Sequence, residues 1–320
     1  MDKDLELDLG RRRTLATGGA IMAGLLAGLP DTAPAQSMPP PPAQVPNLPA
    51  QDIQRILRGS ARVSGPVLRI TQLRNDLNDV LGPANIPFKP VFAVRNDFYF
   101  QGLPNGRAIL NGELAVPSEE VNAVIDRILS TGLILQSFHQ HFFNLEPPVW
   151  HIHLRGAGSP YGMARGLEYV VRATATPLPQ SAPTNPSTTL DAARLGRLLG
   201  GQTEILQEGV VAVHVLRREQ VTLDGVPVDP RLNLGHEVRF EPLADGRTAV
   251  AARLALLASE VGIVLRLLRR EAFDVHALAN QETAESPQLL AAQLLAAGNP
   301  YVYARALRRA LQQTGSRFMF

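Results

Sequence analysis

The 320-residue chain contains one sequence unit twice. Slid along itself by 140 positions, "LPNGRAILNGELAVPSEEVNAV" from Leu103 meets "LADGRTAVAARLALLASEVGIV" from Leu243, and "GSPYGMARGLEYVVRAT" from Gly158 meets "GNPYVYARALRRALQQT" from Gly298. Gly106, Arg107, Glu120, Val121, Pro147, Gly158, Pro160, Tyr161, Ala164, Arg165 and Thr174 all recur as the same residue at that offset, whereas chance identities scatter. A fixed long period means one structural unit used twice. The first repeat spans 52–174 and the second 192–320, with the Pro-, Ser- and Thr-rich stretch 175–191 between them as a linker. An apolar share of 45% gives each copy material for a core of its own.

Periodicity orders the elements within a copy. "GRAILNGELAVP" alternates like a strand, Ser118 stands where a helix N-cap would, and "EEVNAVIDRILSTG" has helical spacing up to Gly132. "LILQSFHQHFF" and "PVWHIHLRG" read as two strands joined by "NLEPP", and Pro160 opens a second helix, "YGMARGLEYVVRAT". "GPVLRITQL" and "PVFAVRNDFYFQG" add strands ahead of this core, and "GVVAVHVLRREQVTLDG" plays their part in the second copy. The expectation is an α+β fold of two related domains, each an antiparallel sheet with helices packed on one face of a βαββα core plus extra strands.

Four of the seven histidines lie in "HQHFFNLEPPVWHIHL", from His139 to Leu154. Side chains two apart on a strand share a face, so His139 pairs in direction with His141, and His151 with His153. A turn centred on Glu146 would set His141 opposite His151 and His139 opposite His153, with all four rings on one face. Neighbouring strands then bring the rings to metal-ligating separations. Imidazole suits a divalent transition metal, zinc first, with copper, iron or nickel as other candidates. A hydrogen-bonded histidine ladder, an exposed polar face and a ligand site without metal remain open. Trp150, Phe138, Phe142 and Ile152 fall on the opposite face, where packing against helices accounts for them.

The second copy holds Ala279, Gln281, Ala291 and Gln293 at the four equivalent positions. The surrounding glycine and prolines persist while every imidazole is gone, so a site belongs to the first copy alone. Glu146 at the turn is a candidate fifth ligand or general base. Arg155 continues the His151/His153 face and is a candidate for holding an anionic substrate. His214, His236 and His276 stand apart and read as ordinary. No G-x-S-x-G, glycine-rich phosphate loop or H-E-x-x-H is present, and the chain has no cysteine to act as nucleophile or metal ligand.

At its N-terminus, "LGRRRTLATGGAIMAGLLAGLPDTAPAQS" has the parts of an export signal: Arg11 to Arg13, an apolar glycine-rich run and Ala33-Pro34-Ala35 for cleavage. Adjacent arginines before a mild apolar run resemble a twin-arginine signal over residues 1–35. The run is too short and glycine-rich for a stable membrane span. Residues 36–51 follow as a stiff proline-rich lead-in, and folding is expected to begin near Asp52. A formal charge of +2 is too slight to suggest nucleic acid. The chain therefore reads as a bacterial periplasmic or secreted protein, with a small molecule or an envelope component as partner.

"HQHFFNLEPPVWHIHLRGAGSP" and the stretch "EVGIVLRLLRREAFDVHALANQETAESPQLLAAQLLAAGNP" resemble the LppY/LpqO-type family of bacterial exported proteins, a domain family of unknown function. The resemblance implies an Ala-Leu-His-Asn-His-like motif followed by a proline and an aromatic-His strand. The first copy matches it with His139, His141 and His153, and His151 adds a fourth. The second keeps Ala277, Leu278 and Asn280 but departs at Ala279, Gln281 and Gln293. No reaction comes with the family. Two expectations stand: a periplasmic metalloprotein, as a metal-dependent hydrolase or oxidoreductase, or a non-catalytic module that binds a ligand or partner.

Overall fold

The structure, a computed structural model, describes residues 48–180, 186–280 and 282–320. The export-signal reading of residues 1–35 lies outside the described residues, as do most of the lead-in and Gln281.

The first half opens with helix α1 (Ala50–Leu57), which starts just ahead of Asp52 and buries Ile53 and Leu57. Strands β1 (Ser60–Ser64), β2 (Val67–Leu73), β3 (Arg95–Gly102) and β4 (Ala108–Pro117) follow, then helix α2 (Val121–Leu129). Strands β5 (Ile134–His139) and β6 (Val149–Gly158) lead to helix α3 (Pro160–Val171). All six strands join one antiparallel sheet in the order β1-β2-β3-β4-β6-β5. Alternation along β4 and β6 sends Leu110, Leu114, Val116, Ile152 and Leu154 to one face, against Val124, Ile128, Leu167 and Val170 of the helices. Full burial of such a side chain contributes about 1.5–3 kcal/mol, so this row holds the layer together.

The second half repeats the plan. Helix α4 (Ala192–Leu199) and strands β7 (Gln202–Ile205) and β8 (Val211–Arg217) come first. A small insert pairs β9 (Val221–Leu223) with β10 (Val226–Val228). Then come β11 (His236–Pro242), β12 (Thr248–Leu256), α5 (Ala258–Arg270) and β13 (Asp274–Asn280). Strand β14 (Glu285–Ser286) joins the insert, and β15 (Leu290–Gly298), α6 (Pro300–Leu311) and β16 (Ser316–Arg317) complete the half. Its main sheet runs β13-β15-β12-β11-β8, with β7 and β16 both pairing to β8. Each half is thus an α+β unit with helices on one face of its sheet, as expected. Among the described residues no helix is long and apolar enough to cross a membrane.

The other faces of the two sheets meet each other. Ala115 and Val149 of the first half share a buried cluster with Ala249, Ala251 and Leu295 of the second, closed by Phe88, Phe92 and Phe142. The chain is therefore layered helix, sheet, sheet, helix. Phe142 belongs to this inner layer, at 4.9 Å from Phe88, rather than to the helix face where alternation put it. Phe138 does lie opposite the histidines but stays exposed, against Trp150 at 4.8 Å. Ser118 does not cap the helix: residues Ser118–Glu120 form a 3-10 turn, and the Ser118 hydroxyl accepts the Trp150 indole N–H at 3.1 Å.

The repeat extends to buried polar anchors. In the first half Arg74 donates to the Ala115 carbonyl and pairs with Glu120; in the second Arg217 donates to the Ala255 carbonyl and pairs with Glu260. The Ala115 N–H donates to the Asn96 side chain, whose amide reaches Thr176. At the matching place the Ala255 N–H donates to His236 Nδ1, and His236 Nε2 meets the Ser316 hydroxyl. His236 thus does the structural work of Asn96.

Candidate metal centre

The hairpin pairs in a different register from the expected one. Ile134 faces Arg155 and Leu135 faces Leu154; then Ser137 faces His153, Phe138 faces Ile152 and His139 faces His151. Gln136 is the extra residue of a β-bulge. Relative to a turn centred on Glu146 the pairing is displaced by two residues, so His139 sits opposite His151 instead of His153. An even displacement keeps side chains on their faces. The bulge is what makes this work: without it Phe138 would oppose His151, and His139 would turn towards the outer side. β5 ends at His139, so His141 lies in the connection rather than on the strand.

From there His141 folds back over the sheet. Its Nε2 lies 3.1 Å from His153 Nε2, and its ring stacks on His151 with centroids 3.6 Å apart and planes 3° from parallel. The His139 ring is 5.2 Å from His141 and 5.1 Å from His153. One nitrogen from each of His139, His141 and His153 lies within 4.8 Å of the others. Tetrahedral zinc–imidazole bonds of 2.0–2.1 Å place ligand nitrogens about 3.3 Å apart, so the His141–His153 pair is near ligating separation. The three together form a buried cluster that could hold a divalent metal. His151 is not the fourth member. An ion bound to an imidazole lies in the ring plane, and an ion in the plane of His141 is displaced from the parallel plane of His151 by the stacking distance.

Burial lowers the pKa of every ring. It is the largest cause for His141, His153 and His151, whose value falls to about 3, and for the half-buried His139. Neutral imidazole is the form that ligates metal. Two buried nitrogens, His139 Nε2 and His151 Nδ1, have no hydrogen-bond partner among the described residues. The Ala93 backbone raises the His151 pKa, against the larger effect of burial, which gives that ring a structural contact.

Sequence reasoning missed Glu113. It stands directly opposite His153 in the β4–β6 ladder, with Oε2 3.8 Å from His153 Nδ1, while His153 Nε2 faces His141. A carboxylate on the far nitrogen is the usual support of a metal-ligating histidine, since it fixes the tautomer. Burial, with Asp97 adding to it, raises the Glu113 pKa to about 7. The signal lay in "NGELAV", where Glu113 is the single charged residue of β4. Its relevance depended on β4 lying beside β6.

Glu146 and Arg155 are placed elsewhere. The Glu146 side chain is exposed, and its backbone N–H and carbonyl pair with Leu81. Arg155 does continue the histidine face, yet its guanidinium forms a close ion pair with Asp224 of the second half. His214 lies 3.7 Å from Glu204 and 3.9 Å from Glu237. His276 packs on Phe143 at 4.2 Å, with both ring nitrogens buried and without a hydrogen-bond partner among the described residues.

In the second half Ala279 faces Ala291 as His139 faces His151, again after a bulge, formed there by His276. The Glu113 position is taken by Arg253, which faces Gln293.

No curated protein matches the chain. Among solved structures, a trimeric bacterial microcompartment shell protein, PduB, is 9% identical over 82% of this chain and 96% of that one, with a TM-score of 0.22. A family model described as a domain of unknown function (DUF1259) matches residues 51–173 and again 193–313. Those two matches follow the two halves of the fold, and the chain belongs to that family, carrying its domain twice.

Proposed function

We propose that the chain is an exported metalloprotein whose first domain holds a divalent transition metal, zinc first, through His139, His141 and His153. The observation that carries this reading is the approach of three neutral imidazoles within 4.8 Å in a buried place. Burying that many polar rings without a ligand is costly, and the second domain does without them. The export segment and the resemblance to LppY/LpqO-type proteins support a periplasmic or secreted location.

Three protein ligands leave a coordination position free, which favours an enzyme over a closed structural site. A metal held this way supplies acidic bound water, the chemistry of a hydrolase. Around it, Glu113 stands behind His153, its Oε2 3.8 Å from Nδ1, and the stacked His151 keeps His141 folded back. In this reading the carboxylate beside the centre is Glu113 rather than Glu146.

Elemental analysis of the exported full chain tests the reading. About one metal ion per chain is expected, near none in the His139→Ala/His153→Gln double variant, and an undiminished content in His151→Ala. A metal-free protein from metal-replete medium, or unchanged content in the double variant, overturns it.

A further inference from the structure

Between the two sheets lies a cavity of about 180 Å³ whose walls include none of the four clustered histidines. Arg62, Arg69, Arg231, Arg253 and Arg317 line it, against the carboxylates of Glu204 and Glu237. Most of these charges are already spoken for. Arg62 pairs closely with Glu204, Arg69 lies 3.5 Å from Asp97, and Arg231 lies 3.1 Å from Asp229. Glu237 serves Arg239 at 2.7 Å and Arg95 at 3.7 Å. Arg317 is exposed to solvent.

Arg253 is different. It is half-buried, and among the described residues it makes no hydrogen bond and no ion pair, whereas the other arginines that are not exposed all do. A guanidinium carries five N–H donors and is seldom left without acceptors away from bulk water. Arg253 also lines two smaller clefts, one beside His141, Glu113 and Gln293 and one beside Glu282 and Glu285. It therefore stands where the cavity meets the neighbourhood of the histidines.

We propose that this cavity binds a small oxyanion, a carboxylate or phosphate group, with Arg253 as its anchor. The planar fork of a guanidinium matches both groups in a bidentate fashion. The surplus of positive charge on low-dielectric walls concentrates anions there. Its place at the entrance to the His141 cleft means that an anion so held presents the rest of its molecule towards the proposed metal centre. The binding step itself does not depend on the metal reading, because no clustered imidazole touches the cavity. The competing account is that Arg253 merely balances Glu113 and Glu282 through space.

Calorimetric titration of the metal-stripped full chain with inorganic phosphate, and separately with malonate, decides between them. Saturable binding of at least one is expected, weakened about tenfold or more in Arg253→Gln and partly restored in Arg253→Lys. The two arms show whether phosphate or carboxylate is preferred. Failure of both anions to bind, or equal binding by Arg253→Gln, overturns the proposal. Should that variant not fold, phenylglyoxal modification of the wild-type chain replaces it. Protection of Arg253 by the bound anion supports the anchor, and equal modification with and without anion sinks it. Metal content measured on the same samples separates this outcome from failure of the metal centre.

Discussion

The β5–β6 hairpin of the first domain and the β13–β15 hairpin of the second are the same structure with different chemistry. Both carry one bulge, and both resume pairing with the same step, His139 on His151 and Ala279 on Ala291. Register is therefore held by the bulge and the flanking ladder, not by the imidazoles. The bulged residues also reach across to the opposite domain in matching fashion. Gln136 donates to Glu282 and accepts from the Thr283 N–H, while His276 packs on Phe142 and Phe143, the residues 140 positions before Glu282 and Thr283. What the copies share is scaffold. Where they differ, at His139, His141, His153 and Glu113 against Ala279, Gln281, Gln293 and Arg253, they differ in what they could bind.

If that division is right, the largest stability losses come from residues that both domains keep. Arg74 and Arg217 are fully buried and satisfy equivalent carbonyls and carboxylates. Replacing Arg217 with Met leaves Glu260 without its cation, and an uncompensated buried charge costs about 3–5 kcal/mol. Arg74→Met should cost a similar amount by denaturant unfolding. Loss in one domain and tolerance in the other would break the equivalence. A smaller effect is expected at the crossing contact. Gln136→Ala removes a donor from buried Glu282, which costs about 1–3 kcal/mol in the same measurement. An unchanged midpoint would show that the bulge does not tie the domains together.

Much of this was legible in the chain itself. The repeat, the βαββα order and the common direction of His139, His151 and His153 follow from period and alternation, which are local properties. The bulge at Gln136 was not legible, because alternation before it and after it looks regular on both sides. The two-residue displacement of the hairpin hid for a related reason: an even displacement changes partners without changing faces. Glu113 and Arg253 acquire meaning only from sheet order and from the packing of one sheet on the other. Those are contacts between distant parts of the chain, for which no short pattern stands. Phe142 was misplaced because alternation was extended past the true end of β5 at His139.

The smallest expected effect is one of pH, because the domains' buried groups oppose each other. His141, His151 and His153 are held below 6.5, so between their folded values and 6.5 the unfolded chain binds protons that the folded chain does not. Their contribution is complete above pH 6.5 and is lost as pH falls, towards about 3 for His151. Glu113 and Glu241, raised to about 7, and Glu285, raised to about 8, act in the other direction: their contribution is lost as pH rises from 4.5 through those values. Between pH 4.5 and 6.5 the two slopes offset in the native chain. A His151→Ala/His153→Gln variant, which carries the second domain's residues at those two positions, keeps the carboxylate slope and loses two of the three histidine contributions. In metal-free protein its Tm should therefore fall less, or rise, on going from pH 6.5 to 4.5, while the parent chain loses stability relative to it. Parallel Tm profiles for the two proteins would mean that the folded first domain accepts protons on these rings at no cost, contrary to their burial between the sheets.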